Sequence, residues 1–277
     1  MTIEKIPLVA VLGSPVAHSK SPLLHGFWLK QFGISGHYIP IDVKATDLEQ
    51  VLQTLPKMGF VGANVTLPHK EKILFIADQI SDRAALIGAA NTLVFQPDGK
   101  LYADNTDGYG FIENIRQHAP DWQAKDGPAL VLGAGGAARA IVSALLEAGA
   151  PEVYISNRTR SRADQIKSDF GARVSVVEWV KASTEIEHTH TLVNTTSLGM
   201  TGKPALNISL KGLRPETLVT DIVYTPLETE FLQAARSKGS TVVDGLGMLI
   251  HQAVPGFERW FGQKPVVDQE IRDILIP

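Results

Sequence analysis

The chain has 277 residues, 26 Lys and Arg against 29 Asp and Glu, and a formal net charge of −3; at about 150 residues per domain this allows one large domain or two smaller ones. Cysteine is absent, which excludes disulfides, thiolate metal centres and cysteine nucleophiles and suits a reducing compartment such as the cytoplasm. With 44% hydrophobic and 20% charged residues the composition is that of a globular chain; its slightly acidic balance offers no basic field to nucleic acid, and no apolar run approaches the roughly 18 residues of a membrane span.

Glu4 and Lys5 ahead of the short run Ile6–Leu12 do not read as a signal peptide. Pro7–Leu12 predicts a buried strand and Pro22–Phe32 a helix after a Ser-Pro start. Gly36–Val43 reads as a strand and Thr46–Met58 as a helix, with Thr46 as its cap and Glu49 in the capping-box position. Gly62–Val65 is a strand, and His69–Ile76 predicts the start of another helix. Thr92–Gln96 and Lys100–Ala103 form a hairpin about Pro97-Asp98-Gly99.

The second half has a more regular rhythm. Strands are expected at Ala129–Leu132, Glu152–Ser156, Thr191–Asn194, Leu218–Ile222 and Thr241–Val243. Helices are expected at Ala137–Ala148, Ser161–Phe170 and Glu228–Lys238, with helical patterns to the end. Strands alternating with helices argue for an α/β fold with parallel sheets covered on both faces. The domain boundary falls near the helix Gly108–Gln117.

Val131 and Leu132 run into Gly133-Ala134-Gly135-Gly136-Ala137-Ala138, a G-x-G-x-x-A turn between strand and helix. Such glycines allow a tight turn and close approach of a pyrophosphate, which the helix N-terminus then receives. A glycine-rich turn without ligand fits the same letters; its register between strand and helix favours a dinucleotide. The next strand ends in Ser156-Asn157-Arg158-Thr159-Arg160-Ser161-Arg162 rather than in a carboxylate. Arg158 and Arg162, four apart on one face of a helix start, suit a 2′-phosphate and hence NADP(H). A solvated basic face or a small nucleic-acid patch is the competing explanation.

Four polar segments interrupt the first half: Gly13–Pro22, Asn64–Lys70, Ala89–Thr92 and Asp104–Gly108. Each lies beside a predicted strand end, where ligands bind in open α/β sheets. Their hydroxyl, amide, carboxylate and ammonium groups together suit a polyhydroxylated small molecule. Taken singly, Lys70 reads as a surface lysine and Asp107 before Gly108 equally as a helix cap. His188-Thr189-His190 lacks a third metal ligand and reads as an exposed polar loop; His18 and His69 read as loop-shaping groups, and Trp122, Trp179 and Trp260 as packing residues.

These segments, with Asn157–Thr159, Asn194–Met200, Asp221–Pro226 and Asp244–Gln252, make the sequence resemble the NADP-dependent shikimate dehydrogenases, in family order over nearly the whole chain. The resemblance implies reversible reduction of 3-dehydroshikimate to shikimate by NADPH, a step towards chorismate and the aromatic amino acids. It implies an N-terminal α/β substrate domain over residues 1–107, completed by C-terminal helices 248–277. A Rossmann-like NADP-binding domain over 108–247 follows, with a cleft between the two.

In that pattern Lys70 and Asp107 form the catalytic pair, with Lys70 exchanging the proton and Asp107 positioning it. Ser19, Ser21 and Tyr224 take the substrate carboxylate; Thr66, Lys70, Asn91, Asp107 and Gln252 meet its ring oxygens. The cofactor falls to Gly133, Ala134, Gly135, Gly136, Ala137, Asn157, Arg158, Thr159 and Arg162, with Thr196, Ser197, Ile222, Gly245 and Met248 on the nicotinamide side and Asp82 as a further contact. The sequence departs from the family at Gly26, commonly Asn, and Thr195, commonly Ala. A quinate or dual quinate/shikimate dehydrogenase shares these motifs, as would a non-catalytic ligand sensor. No metal, nucleic acid or membrane partner is implied, and the chain is expected as a monomer or homodimer.

Overall fold

The computed structural model describes residues 6–276. In chain order the elements are β1 Leu8–Gly13, α1 Ser21–Gln31, β2 His37–Asp42, α2 Leu48–Thr54, β3 Phe60–Val65, β4 Gln79–Ile80, α3 Asp82–Ile87, β5 Thr92–Phe95 and β6 Leu101–Asp104. They continue with α4 Asp107–His118, β7 Ala129–Leu132, α5 Gly136–Glu147, β8 Val153–Ser156, α6 Arg160–Phe170, β9 Val174–Val177, α7 Ala182–Glu185, β10 Thr191–Asn194, β11 Leu218–Asp221, α8 Glu230–Arg236 and β12 Val242–Val243. Three helices close the chain: α9 Leu246–His251, α10 Val254–Phe261 and α11 Gln269–Leu275. No helix among the described residues is long and apolar enough to cross a membrane.

The chain divides into two compact units, one reaching to Thr106 and resuming at Ile250, the other running from Asp107 to Leu249. The first holds a six-stranded sheet in the order β2-β1-β3-β5-β6-β4. β1 lies parallel to β2 and β3, whereas β3 with β5 and β5 with β6 are antiparallel. The antiparallel β5–β6 pair is the expected hairpin: the tight Pro97-Asp98-Gly99 turn can only reverse the chain, whereas a parallel neighbour needs a long crossover. β1 is apolar because it is central and covered on both faces.

Two further local expectations are corrected. The helix after Thr46 begins at Leu48, and the Thr46 hydroxyl donates to Asp47 Oδ1 at 2.8 Å instead of capping. From His69 only a short 3-10 turn forms, Lys72–Phe75; it sends Ile73 into the core with Leu74 and Ile76 against it and leaves Phe75 89% exposed.

The second unit matches the βα rhythm closely. Its sheet has the order β12-β11-β10-β7-β8-β9, every pair parallel. The order reverses between β7 and β10, the point where doubly wound sheets take their ligands. Ile141, Leu145, Ile155 and Val193 are among the side chains of a core fully withdrawn from water.

Candidate active site

In the first unit, β1 ends at Gly13 because nothing larger fits: a Cβ there would stand 2.5 Å from Thr66 Cγ2 and 3.2 Å from the Leu67 carbonyl. That approach lets Thr66 N–H donate to Leu12 and Ser14 N–H to Leu67, lacing the serine loop to the Thr66 segment. Ser21 N–H donates to Ser19 Oγ at 3.3 Å, and both serines are half-buried where α1 begins. The Lys70 carbonyl accepts from Ala90 N–H at 2.8 Å, tying the lysine's backbone to the residue before Asn91. His69 is buried with Nε2 on the Val43 carbonyl at 2.8 Å, a loop-shaping role; His18 is exposed.

Asn91 is the hub. Its Oδ1 accepts from Thr106 N–H at 2.9 Å, the Thr106 hydroxyl at 3.1 Å and the Thr92 hydroxyl at 2.9 Å. Its amide donates to Gln252 Oε1 at 3.3 Å, which brings together two of the sequence-predicted residues 161 positions apart. The network extends to three residues with no assigned role: Asn64, whose amide donates to the Asn91 carbonyl at 2.9 Å, and Thr92, both within the polar segments, and Tyr38, which donates to Asn64 and lies outside them. Asn64 and Thr92 are each the one polar residue of an otherwise apolar strand, a legible sign of a buried network, since an unpaired polar group there is costly.

Below the hub sits Asp104, wholly buried. It accepts from Arg83 Nε at 2.7 Å and NH2 at 2.5 Å, Arg259 at 2.7 Å, the Ser81 hydroxyl at 2.7 Å and Asn105 N–H at 2.8 Å. Burial pushes its carboxyl up, but the hydrogen bonds and charges of Arg83, Ser81 and Arg259 outweigh it and hold the group down to about 2. Asp82 is exposed in the first turn of α3, between Ser81 and Arg83. Lys70 belongs to the first unit, and Asp107 opens α4 in the second.

In the second unit, Gly133 has φ +111°, and a Cβ there would stand 2.6 Å from Thr195 Oγ1. The Thr195 hydroxyl donates to the last carbonyl of β7, Leu132, at 2.8 Å, which gives the departure from Ala a structural use. A Cβ at Gly135 or Gly136 would meet nothing within 4 Å, so open space lies before the N-terminus of α5, which has no side-chain cap.

At the end of β8 the Asn157 amide donates to the Thr159 carbonyl at 2.8 Å and shapes the turn. The helix begins only at Arg160, so Arg158 lies in the turn and does not share a helical face with Arg162, as the spacing had suggested. Arg160 is spent on Asp164 and Glu178, while Arg158 and Arg162 are exposed and make no ion pair among the described residues. Open glycines, unsatisfied helix N–H groups and two unpaired guanidiniums fit a phosphorylated dinucleotide.

A hollow of about 290 Å³ is lined by Thr195, Thr196, Ser197, Met200, Ile222, Val223, Tyr224 and Thr225. It gathers Thr196, Ser197 and Ile222 with Tyr224, which had been assigned to the substrate carboxylate, and adds Met200, which had not been singled out. Gly245 passes so close that a Cβ would stand 2.4 Å from the Ile222 carbonyl, and Met248 packs on the edge of the same core. Beneath, buried Asp221 accepts from Asn194, Val223 N–H and Thr229; burial raises its carboxyl, against those hydrogen bonds. The expected loop at His188 is instead a 3-10 turn, Ile186–His188, with Thr189 buried behind it.

The parallel sheet, its reversal between β7 and β10, and the open glycine turn define the second unit as a Rossmann-type dinucleotide-binding domain. Residues 11–93 match the shikimate dehydrogenase substrate binding domain, 115–204 the shikimate / quinate 5-dehydrogenase domain, and 245–269 the shikimate 5'-dehydrogenase C-terminal domain. A shikimate dehydrogenase (NADP(+)) from Roseobacter denitrificans is 62% identical over 276 residues, covering 100% of each chain. The structure of shikimate 5-dehydrogenase from Thermus thermophilus in complex with NADP(H) and shikimate is 39% identical, covers 98% of this chain and 100% of that one, and superposes with a TM-score of 0.85. Quinate dehydrogenase from Corynebacterium glutamicum in complex with NAD is 30% identical, covers 99% of both chains and has a TM-score of 0.90. The chain belongs to the shikimate dehydrogenase family.

Proposed function

We propose that this protein is an NADP-dependent shikimate dehydrogenase that reversibly reduces 3-dehydroshikimate to shikimate. The observation that carries the reading is a pairing within one chain. A first unit has a buried amide and hydroxyl network suited to ring hydroxyls, and a second has a dinucleotide turn followed by exposed Arg158 and Arg162. The NADP-named relatives at about 60% identity support the same cofactor.

NADPH, when bound, supplies the hydride to the ketone carbon. Negative charge then grows on the ketone oxygen, and the protein must neutralise it and deliver a proton. Lys70 gives that proton in reduction and takes it back in oxidation; Asp107 accepts a hydrogen bond from the same substrate hydroxyl and orients it. Ser19 and Ser21 donate to the carboxylate, with Tyr224 as a further donor. Thr66, Asn91 and Gln252 pair with the ring hydroxyls.

Gly133, Ala134, Gly135, Gly136 and Ala137 take the pyrophosphate. Asn157, Arg158, Thr159 and Arg162 take the 2′-phosphorylated ribose. Thr196, Ser197, Ile222, Gly245 and Met248 border the nicotinamide, and Asp82 is a further cofactor contact. The substrate domain takes the first unit, which reaches to Thr106 and resumes at Ile250, and the cofactor domain the second, Asp107 to Leu249, within two residues of the expected bounds. The enzyme works in the cytoplasm as a monomer or homodimer on small molecules alone.

The test is an absorbance assay at the reduced-nicotinamide band with shikimate or quinate, each offered with NADP⁺ or NAD⁺. Shikimate with NADP⁺ should give the highest rate. A highest rate with quinate and NAD⁺ would reassign the substrate, and no turnover in any of the four would refute the enzyme.

A further inference from the structure

Tyr38 stands on the edge strand β2 yet is 7% exposed. Its ring lies flat on the His25 imidazole, centroids 4.0 Å apart and planes 4° from parallel, with the edge of Trp28 against that imidazole at 5.7 Å. Neither His25 nitrogen has a hydrogen-bond partner among the described residues, and burial pushes this imidazole down to about 3, so it serves as a neutral plate under the phenol. The phenol itself is pushed far above its ordinary value by burial, against a lowering by the Ser21 hydroxyl beside it, and it stays a donor throughout the working range.

The Tyr38 hydroxyl donates to Asn64 Oδ1 at 2.6 Å. The Asn91 carbonyl, which can only accept, settles which way the Asn64 amide faces, and the phenol supplies the donor for the oxygen this leaves. With its oxygen turned to the phenol, its NH2 donates to the Asn91 carbonyl at 2.9 Å and to Thr92 Oγ1 at 3.3 Å. Asn91 in turn donates to Gln252. One phenol thus touches the residue that holds the hub and lies beside Ser21. Without it, Asn64 Oδ1 is a buried acceptor with no donor from Tyr38, and the amide is free to shift away from the Asn91 carbonyl it holds.

We propose that Tyr38 is a positioning residue for the substrate, fixing the Asn64 amide and through it the Asn91–Gln252 pair without touching substrate or cofactor. The proposal rests on the shikimate reading above. It requires that removing the hydroxyl weakens substrate binding while leaving the cofactor untouched, because every partner in the chain of bonds belongs to the first unit.

The experiment measures kcat and both KM values for the wild type, Tyr38→Phe, Asn64→Ala and the double variant, with thermal unfolding of each. Tyr38→Phe keeps the ring stacked on His25. It should raise KM for shikimate about tenfold, about 1.4 kcal/mol at 25 °C, with kcat and KM for NADP⁺ within twofold. Asn64→Ala should show the same split, and the double variant should be no worse than the poorer single one, because the two act in series.

A shikimate KM within twofold of wild type in folded Tyr38→Phe overturns the proposal. So do equal rises in both KM values or additive effects in the double variant. Should Tyr38→Phe not fold, the split in Asn64→Ala decides alone. Wild type that turns over none of the substrates removes the functional reading and this proposal with it, an outcome distinct from all the others.

Discussion

Replacing Asp104 with Asn tests the buried ion cluster at the end of β6. The carboxylate is fully buried and its partners Arg83 and Arg259 are 40% and 34% exposed, so the guanidiniums keep water on one side. A carboxyl held at about 2 instead of 3.8 contributes about 2 kcal/mol at neutral pH. Breaking a buried pair costs about 3–5 kcal/mol when the remaining charge is wholly dry; partial hydration of both arginines places Asp104→Asn near about 2–3 kcal/mol. The sign follows from the depressed value: the contribution is complete above the unfolded carboxyl's range and fades as pH falls from about 4 through 2.

Urea unfolding of both proteins at pH 7 and pH 3 is the assay. The gap between them should narrow by about 1 kcal/mol at pH 3, since the other carboxylates titrate alike in both. A gap of equal size at the two pH values would refute the electrostatic account and leave only lost packing.

Lys70→Ala should lower kcat by at least about 10²–10⁴, the usual share of a general acid–base group, while NADPH still binds in a fluorescence titration. Near-normal turnover would remove Lys70 from the reaction. Arg158→Ala with Arg162→Ala should raise KM for NADP⁺ roughly ten- to a hundredfold through lost charge-assisted bonds and leave KM for NAD⁺ unchanged; equal changes would mean the two arginines do not read the 2′-phosphate. Thr229→Val strips buried Asp221 of a 2.8 Å donor and should cost about 1–3 kcal/mol, read as a lower urea midpoint. Gly133→Ala combines positive φ with a 2.6 Å clash on Thr195 Oγ1; it should lower both the melting temperature and NADPH affinity, and an unchanged protein would contradict the turn as drawn.

The second unit was readable because its strands other than β9 are short apolar runs ended by Gly, Asn or Asp, and because the glycine turn falls in register between β7 and α5. Short elements escaped. β4 is two residues paired to Tyr102 and Ala103, and α3 is a six-residue helix whose cap, Ser81, was the one visible clue. β9 was missed as an edge strand. Lys70, Asn91, Ser19 and Ser21 were legible from their motifs, and backbone contacts tie the first two segments together. Tyr38 and Arg259 were not, because their value lies in partners up to 155 positions away, which no local pattern encodes.

The first unit is discontinuous in sequence, and this bears on the order in which the protein can be finished. Gln252, Arg259 and Trp260 supply the bond to Asn91, the second guanidinium for Asp104 and the N–H for the Leu93 carbonyl. All three leave the ribosome only after the second unit, an uninterrupted stretch from Asp107 to Leu249, has been made. A nascent chain halted after Leu249 would therefore carry a closed nucleotide lobe beside an open partner whose aromatic plug, including the indole over Gly62, has yet to be synthesised.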